Sequence, residues 1–199
     1  MIRLATEADA PAIAAIYAPA VRDTPISFET LPPGPAEMAE RIVQTLPRWP
    51  WLVSERDGEI LGYAYSGAFA QRSCYRWSVT TSVYVKPDRW RQGVGRGLYG
   101  ALLTLLAEQG FRSAYAGVTL PNEASVGLHK AMGFEPVGVY RDAGFKLGRW
   151  HDVGWFQRVL QPGARRVPLT EPAEPVEVTA VLAAQAPLWA DTERGHVTR

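Results

Sequence analysis

Cysteine is almost missing: Cys74 is the single thiol in 199 residues, and histidine occurs only at 129, 151 and 196. One thiol excludes an internal disulfide and a cysteine-cluster metal site. The three histidines lie far apart without ligand spacing, so no metal is expected. Excess charge of either sign is absent as well, with 21 Lys and Arg against 20 Asp and Glu. No overall basic field is therefore available to gather nucleic acid or an acidic membrane surface, and neither is expected as a partner. Nor does any apolar run approach the ~18 residues of a membrane-spanning helix. The opening MIRLATEADA has no basic start, apolar middle or small-residue cleavage site. A cytoplasmic protein is the expectation, in keeping with its lone thiol.

What is present is apolar and patterned. Hydrophobic residues make up 47% of the chain, enough for one buried core, and no repeat of fixed period occurs. Thr6 and Asp9 can cap a helix whose face carries Ile13, Ile16, Tyr17 and Ala20. DTPISFETLPPGP reads as a loop, followed by a helix from about Ala36 to Leu46. WLVSE and EILGYAYSGAF flank Arg56-Asp57-Gly58 and read as a hairpin. SVTTSVYV is a β-branched strand ending before Pro87, and Leu98, Ala101, Leu102, Leu105 and Leu106 make a helical stripe closed at Gly110. RSAYAGVTL is then a strand, NEASVGLHKAMG a helix, and FEPVGVYRD and VGWFQRVL two closing strands. Tight turns join the early strands and helices separate the later ones, so a mixed α/β sheet is expected over residues 1–160. Beyond Leu160 the proline-rich QPGARRVPLTEPAEPVE reads as an arm packing on the domain or on a partner subunit, and VTAVLAAQAPLWA as a short helix or packing segment.

The stretch RWRQGVGRGLYGALL carries the chemistry. Gly93, Gly95 and Gly97 let backbone N–H groups approach a ligand closely, and the helix that follows adds the positive end of its dipole. Arg91 and Arg96 can add charge-assisted bonds. A glycine turn capping an ordinary core helix would show the same spacing. Leu98-Tyr99 stand where a mononucleotide loop needs Lys and Ser or Thr, and the dinucleotide fingerprint fails on its third glycine and its acidic residue. A long pyrophosphate-bearing cofactor held by this turn and a strand end remains.

SVYV, RWRQGVGRGLYGALL, GVTLPNEASVGLHKAMGF and AGFKLGRWHDVGWFQ, in that order, resemble the GNAT superfamily of acetyl-CoA-dependent N-acetyltransferases, and within it the phosphinothricin acetyltransferase branch. The resemblance covers about Ile2 to Leu160. It implies the GNAT acyl-CoA N-acyltransferase fold, a mostly antiparallel twisted sheet flanked by helices with a splayed cofactor-binding strand pair. It further implies that Val83, Tyr84 and Val85 meet the pantetheine arm of acetyl-CoA. Arg91, Gln92, Gly93, Val94, Gly95 and Arg96 would wrap the pyrophosphate, and Asn122 and Ser125 would complete the cofactor site. Trp90 departs from the Gln or Arg usual at its place.

On the chemical side, the glutamate that serves the branch as base is replaced by Thr80, which cannot accept a proton near neutral pH. His129 is the substitute expected to act, with ordered water as the other route; a core imidazole bonded to backbone is the plainer reading. Phe28, Glu29, Arg72, Tyr75 and Trp77 match acceptor-binding positions, whereas Ala70 replaces a basic residue found in the herbicide-detoxifying enzymes. Arg72 reads equally as a solvated loop charge. His151 and Asp152 are neighbours on a strand and so face opposite ways, which argues against a dyad. The resemblance thus implies a homodimeric enzyme acetylating a small amino-acid-like amine, with phosphinothricin and methionine sulfoximine or sulfone as candidates. Thr80 and Trp90 leave an acetyl-CoA sensor as the alternative, and an open acceptor groove would instead suit a protein N-terminus or lysine.

Overall fold

The computed structural model describes residues 1–161, 171–175, 180 and 182. Seven strands among them form one sheet in the order β1-β2-β3-β4-β5-β7-β6. They are β1 (Ile2–Leu4), β2 (Trp51–Arg56), β3 (Glu59–Ala68), β4 (Ser78–Val85), β5 (Ser113–Leu120), β6 (Glu135–Lys146) and β7 (Arg149–Val159). Helices α1 (Ala10–Asp23) and α2 (Pro35–Thr45) precede β2, α3 (Val94–Glu108) lies between β4 and β5, and α4 (Glu123–Ala131) follows β5. Every pairing is antiparallel except β4 with β5, as a mixed, mostly antiparallel sheet requires.

Alternation along the strands divides the core between two faces. Leu52, Leu61, Ala64 and Val79 pack with Leu98, Leu102, Leu105 and Leu106 of α3. Their neighbours Trp51, Val53, Ile60 and Tyr63 pack with Ile13, Tyr17, Met38 and Ile42 of α1 and α2. Both sheet faces are thus covered where the central strands lie. Helix α3 ends in a Schellman closure, in which Gly110 has φ +94° and the N–H groups of Gly110 and Phe111 reach the carbonyls of Ala107 and Leu106.

Asp57 and Gly58, with φ of 52° and 79°, form the expected two-residue turn between β2 and β3. The last hairpin is longer than its sequence suggests. Leu147 and Gly148, φ 50° and 78°, join β6 to β7, so segments read as loop on either side of them are strand. The usual polarity is inverted there: Phe145, Leu147 and Trp150 are exposed whereas Lys146 and His151 are buried. Strand β1 also escaped the pattern, being only three residues long.

Part of the arm is described and packs on this chain. The Ala173 N–H donates to the Gln109 carbonyl and its own carbonyl accepts from the Gln109 side-chain amide, Glu171 pairs with Arg76, and Leu182 is buried beside the α3 cluster. The rest of the arm, including most of the expected VTAVLAAQAPLWA helix, lies outside the described residues.

Candidate functional site

A fork in the sheet organises the site. β4 follows β3 along its length, but its pairing with β5 covers only Ser78–Ser113, Val79–Ala114 and Thr80–Tyr115. Past Thr80 the strands part, although β4 continues to Val85 and β5 to Leu120. The Thr81 hydroxyl crosses the fork's apex to the Tyr115 carbonyl at 3.3 Å. Because the Lys86 N–H bonds the Leu61 carbonyl, alternation of the ladder turns the backbone groups of Val83 and Val85 away from β3 and into the fork. Tyr84 differs from its two neighbours. Its backbone belongs to the β3 ladder and its ring stacks on Tyr63 at 5.3 Å.

The mouth of the fork meets the head of α3. Arg91 and Gly93 both have positive φ, 61° and 84°, and Gly93 caps the helix. Such left-handed residues set successive N–H groups into a concave anion-binding nest. The first intrahelical bond runs from the Gly97 N–H to Gly93, so the N–H groups of Val94, Gly95 and Arg96 have no partner within the helix. A Cβ on Gly95 would lie 3.5 Å from Val85 Cγ2 and 3.6 Å from Leu128 Cδ2, which places β4, α3 and α4 around one point. Arg91 and Arg96 are exposed at this head, while the Gln92 amide turns back to the Asp88 carbonyl. The Trp90 indole N–H donates to the Val85 carbonyl at 2.9 Å, one of the groups aimed into the fork.

Helix α4 supplies the polar residues beside it. Asn122 caps α4 by accepting the Ser125 N–H at 3.0 Å. His129 is buried among Tyr99, Phe134 and Phe156. Its Nδ1 lies 2.7 Å from the Ser125 carbonyl and must carry the proton, since a carbonyl only accepts. Nε2 therefore accepts from the Tyr99 hydroxyl at 2.8 Å, and Tyr99 lies 3.0 Å from Thr81 Oγ1. Burial pushes the imidazole pKa below its usual value, opposed by the Ser125 carbonyl, so the neutral ring is favoured. Sequence reasoning found His129 but missed Tyr99 and Thr81, because a tyrosine on the α3 stripe reads as core. Thr80 sits at the last paired position before the fork, its hydroxyl a distant 3.4 Å from the Gly67 carbonyl.

The acceptor-side residues fall into two groups. Arg72 and Tyr75, both exposed, line a cavity of about 550 Å³ with Arg48, Ala70, Arg76 and Glu171. Neither Phe28 nor Glu29 lines it, and Trp77 stands outside it beneath the Arg76 guanidinium, 4.9 Å from ring centroid to cation. Phe28 and Glu29 are instead on the α1–α2 connection, which docks against the β6–β7 hairpin. The Glu29 carboxylate takes two bonds from Arg41, at 2.8 and 2.9 Å, and one from Tyr17. Arg41 holds its pKa below the usual carboxylate range despite partial burial, so Glu29 stays ionised at neutral pH. His151 and Asp152 diverge as expected: His151 turns inward to the Lys146 carbonyl, and Asp152 pairs with Arg141. Arg41, Arg76 and Lys146 were not anticipated, since single basic residues read as solvated surface.

Among the described residues no group of three His, Cys, Asp or Glu could hold one metal ion, and no helix is long and apolar enough to cross a membrane. The sequence matches the acetyltransferase (GNAT) domain family over residues 2–155. It is 46% identical over 172 residues to a phosphinothricin N-acetyltransferase of Alcaligenes faecalis, covering 84% of this chain and 86% of that one. It is 37% identical over 166 residues to an L-methionine sulfoximine/L-methionine sulfone acetyltransferase of Pseudomonas paraeruginosa, covering 81% and 95%. A GNAT superfamily phosphinothricin acetyltransferase from Sinorhizobium meliloti, solved in complex with AcCoA, superposes with a TM-score of 0.81 at 35% identity over 86% of this chain and 93% of that one. Forked sheet, glycine nest and sequence agree: the chain belongs to the GNAT family of N-acetyltransferases.

Proposed function

We propose that the protein transfers the acetyl group of acetyl-CoA to the amine of a small amino-acid-like acceptor, with phosphinothricin and methionine sulfoximine or sulfone as the first candidates. The observation that carries this reading is the β4–β5 fork opening onto the Arg91–Arg96 nest. An extended amide-bearing arm fits against the outward backbone groups of Val83 and Val85, and a diphosphate fits the N–H groups of Val94, Gly95 and Arg96 that the helix itself does not use, with Arg91 beside them. The bound cofactor supplies an activated acetyl thioester. The chain's own residues position the two reactants and move the proton.

For that proton, His129 is the acceptor we assign. Thr81, on the strand immediately after Thr80, connects through Tyr99 to the unprotonated Nε2: with its hydroxyl proton turned from the Tyr115 carbonyl to Tyr99 Oη, the network can pass a proton from the fork's apex to the ring. Ser125 then stabilises the charged ring through its carbonyl. On the acceptor side, Arg72 and Tyr75 suit an acidic end group, and Ala70 leaves one cation fewer for a phosphinate.

A homodimer belongs to the same proposal. β6 is the last strand of the sheet and exposes Val137 at 60%, Val139 at 41% and Tyr140 at 62%, an apolar edge suited to a second copy.

The decisive experiment joins calorimetry with acetyl-CoA to a thiol-release assay over a panel of amino acids and analogues. Saturable cofactor binding with thiol release for acidic amino-acid analogues is expected. No cofactor binding overturns the proposal. Tight binding with no release for any amine would favour the sensor, the second reading, which Thr80 in place of a carboxylate at the fork supports.

A further inference from the structure

The α1–α2 connection is rich in proline and turn residues, yet it is held at a defined place by one buried cation. Lys146, the last residue of β6, is 8% exposed. Its ammonium lies 2.5 Å from the Val21 carbonyl, 2.6 Å from that of Ser27 and 2.8 Å from that of Glu29. All three N–H donors are thereby used on the last turn of α1 and the loop that follows it. Among the described residues no carboxylate forms an ion pair with it. Glu29's charge is the nearest compensation, and its carboxylate is already engaged by Arg41. Burial accordingly lowers the ammonium's pKa, with Glu29 opposing. An ammonium so placed is costly unless its hydrogen bonds fix something.

What it fixes is Phe28. The ring lies against Gly144, where an added Cβ would come within 2.4 Å of Phe28 Cε2, and beside His151, at 6.3 Å between ring centroids. His151 Nε2 in turn lies 3.0 Å from the Lys146 carbonyl. Loop and hairpin are thus joined at a cation and at a ring, with Gly144 and His151 opposite each other in register.

We propose that Lys146 is the positioning residue for acceptor binding: by tying the carbonyls of Val21, Ser27 and Glu29 to the β6–β7 hairpin it sets Phe28 and Glu29 beside β4, where Glu29 accepts from Tyr17 and the Tyr17 ring packs on Tyr84 at 4.9 Å, on the side of the acceptor away from the Arg72 cavity. This rests on the acetyl-transfer reading for its substrate, but the anchoring itself does not. Lys146 acts through the loop and touches no reacting atom.

The test uses Lys146→Met, which keeps an unbranched apolar stem and removes the donors, and Gly144→Ala, which displaces the Phe28 ring and leaves Lys146 in place. Each is measured by steady-state kinetics for both substrates, by calorimetry with acetyl-CoA, and by amide hydrogen exchange of residues 24–31. The expected result for Lys146→Met is a rise of about tenfold or more in acceptor KM with acetyl-CoA affinity unchanged, and loss of exchange protection confined to the loop. Gly144→Ala should raise acceptor KM in the same selective way. Parallel changes for both substrates, or an unchanged acceptor KM with the loop still protected, overturn the proposal. Should Lys146→Met fail to fold, Gly144→Ala decides alone by the same criteria. If the wild-type chain acetylates no amine, the transfer reading falls while the exchange measurement still decides the anchoring.

Discussion

Asp9 accepts from both terminal nitrogens of Arg3 at 2.8 Å and from the Thr6 N–H at 2.8 Å, with the Thr6 hydroxyl at 3.1 Å. Arg3 first, and Thr6 after it, hold the carboxyl pKa below its ordinary 3.8 against the effect of burial. A depressed carboxylate pKa stabilises the fold fully above 3.8 and loses that contribution as pH falls through 3.8 towards the native value. His129 acts in the same direction at higher pH: the folded protein favours the neutral ring, the unfolded chain takes up a proton below 6.5, and acidification therefore weakens folding there too. Urea unfolding from pH 7 to 3 should show stability falling in both windows. Asp9→Asn should lower stability at pH 7 by about 2 kcal/mol and flatten the lower window. At this scale the sequence was legible where a residue's type suits a local task, as with Gly110 at the close of a helix. Lys146 was hidden because nothing in AGFKLGRW distinguishes a cation turned inward from one in water.

Gly62 shows how tightly the elements around the fork are set. It faces Val85 across β3 and β4, and a Cβ there would meet the Tyr84 carbonyl oxygen at 2.8 Å and the Val85 Cα at 3.2 Å. Neither is a flexible side chain, so β4 itself must shift. Gly62→Ala should destabilise the fold by about 1–3 kcal/mol and weaken acetyl-CoA binding more than acceptor binding, measured by thermal unfolding and calorimetry. Hairpin β2–β3 and helix α3 could be read in advance because Asp57-Gly58 and the leucine stripe are local signals. The fork could not be read from periodicity, since divergence of β4 from β5 is a tertiary event and SVTTSVYV would look the same in an unbroken ladder; it entered through family resemblance. The full extent of the last hairpin was hidden by its exposed aromatic residues and buried cation.

For the whole molecule, the exposed edge of β6 is the feature with the largest consequence for assembly. A second copy covering Val139 and Tyr140 would remove apolar surface from water, as obligate dimers do. Sedimentation velocity is expected to give a dimer, and Tyr140→Glu to shift it towards monomer by placing a desolvated charge at the contact. The arm was legible only as a change of composition after Leu160, and its contacts through Glu171, Ala173 and Leu182 depend on the far end of α3 and on Arg76. Lys146 meets carbonyls that precede it by 125, 119 and 117 residues. On a ribosome the α1–α2 loop must therefore wait for its anchor until β6 has been synthesised, although α1 itself can pack on β2 and β3 before then. Strands β4 and β5 and helix α4 are synthesised before Lys146, so the loop is tied down only as the final hairpin, whose β7 pairs with β5, closes the sheet.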